Sequence, residues 1–199
     1  MTSLIAGLLI VIATHSLKMC APAWRSGMID LFGPWWWRIG HSVVSLLGVL
    51  LLVAGYGEAR AQGNFLYLPP PFTRHLAVAM MLPSLVLIFA DLLPRNHLRV
   101  YVRHPALLGT MVWSIAHLLA NGRLAEWILF GGFLLWAMAA YWHARRQDHG
   151  GEMVVRESGK WLRTFAVVVL ALAVWAGFIG GLHQHLIGVP PMVFSASGS

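Results

Sequence analysis

The 199-residue chain is 58% hydrophobic and 11% charged, with a mean hydropathy of +0.70, values that exclude an ordinary soluble domain and place it in a bilayer. Its net charge of +7 does not point to nucleic acid, because the cations lie between apolar runs rather than in one patch, as membrane topology requires. The single cysteine, Cys20, excludes an intrachain disulfide, a cysteine-rich zinc site and an iron–sulfur cluster ligated within one chain.

Apolar runs at about 3–22, 40–57, 73–93, 105–120, 124–143 and 162–187 are mostly near the ~20 residues that cross a bilayer. They predict an all-α, polytopic membrane protein, a bundle of about six transmembrane helices forming a single domain over 1–199. Only Met-Thr-Ser precedes the first run, without the basic start of a signal peptide, so that run is read as a membrane helix. It carries His15-Ser16 and then Lys18, whose stem can reach the surface. The connection that follows ends in Gly33-Pro34-Trp35-Trp36-Trp37-Arg38, read as an interfacial anchor.

His41 opens the second span, where it is read as a headgroup-level side chain, and Ser42, Ser45, Gly48 and Gly55 favour close helix packing. Leu68-Pro69-Pro70-Pro71-Phe72 is too stiff to join a helix and is expected to form a lid or re-entry element on the outer face. The third span opens with Arg74-His75 and contains Pro83, where a kink is expected, with Ser84 satisfying the freed backbone. The fourth, RHPALLGTMVWSIAHLLANG from Arg103 to Gly122, has Pro105 in its first turn and Asn121-Gly122 as a left-handed stop. It is short for a span unless the helix begins earlier, within Leu98–His104. The fifth carries Gly131, Gly132, Ala137, Ala139 and Ala140 as a small-residue face. Gln147–Lys160 is expected to be a solvated loop and Ser195–Ser199 a disordered tail.

The odd-numbered connections hold eleven of the fourteen Lys and Arg residues, the even ones only Arg60, Arg74 and Arg123, and the termini none. The positive-inside rule then puts both termini outside the cytoplasm. On that topology His15, His41, His97, His104, His143 and His149 lie towards the cytoplasm and His75, His117, His183 and His185 towards the outer face. Carboxylates are missing from the span interiors, Asp91 and Glu126 lying at ends, so the buried imidazoles suit a borderline metal or haem iron better than a hard cation or a carboxylate proton relay. His15, His104 and His117 stand out, and Arg103 and His104 are the candidates should there be a catalytic site. HExxH, Walker, GxGxxG and Gly-x-Ser-x-Gly elements are absent, which leaves hydrolase and nucleotide-enzyme readings without support.

Arg103-His104-Pro105 with Trp113-x-x-Ala116-His117-Leu118-Leu119-Ala120-Asn121-Gly122, His15-Ser16 on the first span and Arg74-His75-Leu76 opening the third together resemble the NnrU family of small bacterial membrane proteins linked to denitrification. The resemblance covers almost the whole chain. It extends to the 15-cis-zeta-carotene isomerase, a membrane enzyme that uses haem b, and so implies haem b here with His15 and His117 as axial ligands. The isomerase has a cysteine three residues before its second histidine where this chain has Ser114, so haem binding carries over and ligand-switching isomerisation does not. Along a helix His104 and His117 are about 20 Å apart, and His15 is nearer the level of His104. The partner of His117 therefore stays open between His15, His75, His183 and His185, and His104 with His15 is a further pair. Arg103 fits a haem propionate or a lipid phosphate. The resemblance implies partners in nitrogen-oxide metabolism. A haem-dependent isomerase, a non-catalytic assembly factor and an isoprenylcysteine-type methyltransferase remain as alternatives, the last lacking its Glu-Glu element in Gln147–Lys160.

Overall fold

The computed structural model describes residues 1–150 and 159–191, and side chains except those of residues 149 and 150. Among the described residues the chain is helical, with no strand beyond one isolated bridge between Phe65 and Arg123. The helices are α1 (Thr2–Cys20), α2 (Pro22–Phe32), α3 (Pro34–Ala61), α4 (Phe72–Leu92), α5 (His97–Tyr101), α6 (Pro105–Ala120), α7 (Leu124–Gly150), α8 (Trp161–Gly177) and α9 (His183–Ile187), with a π-helical turn, Phe178–Leu182, joining the last two. Proline opens α2, α3 and α6, positions where its missing N–H has no helical partner to lose.

Five helical stretches are long and apolar enough to cross a bilayer: α1, α3, α4, α7 as far as Asp148, and Trp161–Ile187. The sixth run, α6, has 16 residues, about 24 Å, less than the ~30 Å hydrocarbon core. It does not begin earlier, because His104 adopts φ +54 and separates it from α5, whose start is capped by the Asn96 side chain accepting from the Arg99 amide at 2.8 Å. Val43, Val44, Leu46, Leu47, Leu50 and Val53 of α3 are exposed, an apolar surface that only lipid or a partner helix covers without cost. The protein is an all-α, multi-pass membrane protein.

Two compact units account for the chain: Met1–Leu68 with Asn121–His143, and Pro69–Ala120 with Ala144–Ser199. In the first, α1 and α3 meet backbone to backbone. A Cβ on Gly55 would collide with the Leu4 amide nitrogen, and one on Gly7 would come 2.8 Å from the Gly48 carbonyl oxygen. In the second, α4 packs against α6 and α8. A Cβ on Gly109 would lie 2.8 Å from the Ser84 carbonyl oxygen.

Several local expectations change. Pro83 lies inside α4, and Ser84 donates at 2.8 Å to the Gly109 carbonyl of α6 rather than repairing its own helix. Neither Asn121 nor Gly122 takes a left-handed conformation; the Gly122 carbonyl instead accepts the Leu66 amide at 2.8 Å and the Tyr67 amide at 3.3 Å, so a neighbouring loop supplies the stop. That pairing, with Leu124 N–H donating to the Asn64 carbonyl at 2.8 Å, ties the segment before the prolines to the α6–α7 connection. The first connection contains the helix α2, and α3 begins at Pro34, so Trp35, Trp36 and Trp37 form its first turn. Gln147–Gly150 continue α7; 151–158 of the expected polar loop, and the tail Ser195–Ser199, lie outside the described residues.

Candidate functional site

Four histidines of the apolar helices meet in two pairs, one in each unit. In the first unit, His15 of α1 and His41 of α3 have ring centroids 5.2 Å apart, edge to face at 68°. His15 Nδ1 lies 2.9 Å from the Val11 carbonyl oxygen. A carbonyl can only accept, so Nδ1 carries the proton and Nε2 keeps its lone pair for a ligand. Trp136 of α7 stands edge-on to His15 at 6.2 Å and donates its indole N–H to Ser16 at 3.1 Å, fixing the His-Ser element against α7. Trp37 approaches His41 at 6.3 Å and Trp24 at 5.8 Å, with the Arg25 guanidinium 5.8 Å over its ring. The tryptophan cluster therefore divides. Trp35 and Trp36 are exposed, as an anchor should be, while Trp37 walls the histidine pair.

Near the start of α7 the same unit holds a buried carboxylate, Glu126, 3% exposed. It accepts the Arg123 amide at 2.9 Å, capping the helix, and the Tyr56 hydroxyl at 3.4 Å, with the Arg123 guanidinium at 3.9 Å. Arg123 also covers the Phe65 ring at 4.7 Å. Burial, and then the Glu126 charge, push the Tyr67 phenol above its usual value. Sequence placed Glu126 at a helix end; its contact with Tyr56 of α3, seventy residues away, appears only in the fold.

In the second unit His117 is half-buried on α6, with Trp113 edge-on at 5.3 Å and His183 at 6.5 Å, the imidazole planes only 18° from parallel. Of the partners left open in this unit, His183 is the one beside it, whereas His75 and His185 are exposed. His183 Nδ1 donates to the Val189 carbonyl at 2.6 Å, which again leaves Nε2 as the ligand atom. Trp175 pins α8 to α4 through its indole N–H on the Val78 carbonyl at 2.8 Å. Ser114, one turn from His117, is fully buried, and its hydroxyl has no hydrogen-bond partner among the described residues.

Arg103 and His104 gather on one carboxylate, which sequence reasoning did not single out. Asp148 accepts from His104 Nε2 at 3.1 Å and lies 3.2 Å from the Arg103 guanidinium and 3.5 Å from that of Arg145. Asp148 falls three residues after Arg145, the i,i+3 spacing that could have flagged it. The contact holds His104 in its left-handed conformation, unfavourable for a non-glycine residue before proline. His97 is a packing residue, its ring 4.2 Å from Trp161 and its Nδ1 3.1 Å from the Thr164 hydroxyl. His15 belongs to the first unit and His117 to the second.

Among the described residues no group of three or more His, Cys, Asp or Glu side chains converges as a metal site. The imidazole pairs can complete the coordination of a centre that brings other ligands with it. A comparison with curated proteins and one with solved structures each found no match. A comparison with protein-family models matched residues 3–191 to the family described as NnrU protein, nearly the whole length and including both histidine pairs, and the chain therefore belongs to the NnrU family.

Proposed function

We propose that this NnrU-family protein binds haem b among its transmembrane helices and serves a redox or accessory role in nitrogen-oxide metabolism, in a bacterial inner membrane with both termini in the periplasm. His117 would hold the haem iron, and the family resemblance offers His15 for the second position. The observation that carries the reading is the state of the imidazoles: rings on apolar helices meet in two pairs, and His15 and His183 are each locked by a backbone carbonyl in the tautomer that offers Nε2 to a metal. A porphyrin supplies four nitrogens of its own, so one or two imidazoles suffice where a bare ion would need more. With two imidazoles on the iron no position is open for substrate, which favours electron transfer or sensing over chemistry at the metal.

Arg103 precedes the start of α6 at Pro105, and the helix from there to His117 rises about 18 Å. Arg103 suits a lipid phosphate at the membrane surface rather than a propionate of the same haem, and Arg145 beside Asp148 adds a second cation there. The reading is tested by purifying the full chain from cells supplied with haem. A Soret band in the wild type that is absent from His117→Ala is expected; a folded, colourless wild type overturns it.

A further inference from the structure

His117 and His183 come from helices far apart in sequence, yet their rings lie 6.5 Å apart and 18° from parallel. Metal–imidazole bonds of about 2.0–2.1 Å put the centroids of two rings on opposite sides of one metal about 6.4 Å apart. A direct N–H···N hydrogen bond between imidazoles would draw the centroids in to roughly 5 Å. The observed spacing is too long for that hydrogen bond and leaves room for one metal ion between the rings.

The local structure around His183 is an independent reason to single it out. α8 does not continue regularly into α9. The π-helical turn Phe178–Leu182 intervenes, and within it Gly181 takes φ +128, a backbone open to glycine and strained for other residues. Here the break immediately precedes His183. The chain then stops at Gly188 in a left-handed conformation, and this returns the Val189 carbonyl to His183 Nδ1. A ring aimed by a helix break and oriented by a carbonyl six residues on has the usual support of a metal-ligating histidine.

We infer that His183 is the second axial ligand of the haem iron held by His117, closing a bis-imidazole centre inside the second unit and taking the place the resemblance gives to His15. This rests on the haem reading above. His15 is then left to its pair with His41 in the first unit.

The test uses the full chain in detergent, loaded with haem and read by optical and electron paramagnetic resonance spectra. The wild type is expected to be low-spin, as bis-imidazole haem is. His183→Ala should lose the low-spin signal and become high-spin, and free imidazole should restore it. His183→Asn keeps an N–H at the Nδ1 position for the Val189 carbonyl and guards against a folding defect, and it should behave as His183→Ala does. His15→Ala should stay low-spin. Low-spin spectra in both His183 variants, or a high-spin His15→Ala, overturn the inference while leaving the haem reading standing. A wild type that takes up no haem overturns both.

Discussion

The two histidine pairs are built in different ways. His15 and His41 sit on uninterrupted helices clamped together by Gly7, Gly48 and Gly55, and the His15 ring is oriented by its own helix, through the carbonyl four residues back. His117 sits on a short helix, and His183 follows a broken one, its ring oriented by a carbonyl beyond the helix end. The first pair is fixed by helix packing. The second is fixed by a backbone irregularity, so its geometry can be altered without separating helices. Low tolerance of side-chain bulk should mark the first unit, and sensitivity to local backbone strain the second.

The largest effect should come from prying apart the clamp. In Gly55→Leu the new side chain meets the Leu4 backbone, and thermal unfolding in detergent should show a loss of about 3 kcal/mol, the upper range for overpacking; a melting temperature like the wild type's would mean that α1 and α3 are not in contact there. Gly181→Ala should cost about 1–2 kcal/mol through strain at φ +128. It should also displace His183, seen as a fall in low-spin haem, whereas a wild-type spectrum and stability would remove the helix break from the account. Ser84→Ala deletes the bond to the Gly109 carbonyl that ties α4 to α6, and about 1 kcal/mol should be lost in the same assay.

Smaller changes sharpen the contrast. Asp148→Asn removes a partly exposed charge, worth less than about 1 kcal/mol, and should speed hydrogen exchange of the amides from Val102 to His104 without touching the haem spectrum. Ser114→Ala replaces a buried hydroxyl that has no partner among the described residues and should leave stability unchanged or raise it. A clear loss there would reveal a partner for Ser114 and place it in the site.

Much of the architecture was legible. Unbroken apolar runs have one stable form in lipid, the helix, because every backbone polar group must be paired within the segment, so the spans from α1 to α8 follow from composition. Gly48 and Gly55 announced their packing, and Pro105 its place at a helix start. Local rules failed where a distant segment supplied the partner. Asn121-Gly122 looks like a left-handed stop, but the amides of Leu66 and Tyr67 take up the Gly122 carbonyl. Ser84 looks like a repair for Pro83, but a neighbouring helix receives its hydroxyl.

The histidines divide along the same line. Sequence by itself determined that imidazoles would lie in the membrane, because hydropathy and spacing fix which residues are carried into the lipid and carboxylates are missing from the span interiors. Which rings meet was decided by tertiary structure alone. Pairing His15 with His41 depends on glycines that let two backbones touch, and pairing His117 with His183 depends on a helix break whose direction no periodicity encodes. Contacts between residues tens of positions apart are set by how helices pack, and helix packing is a property of the folded chain.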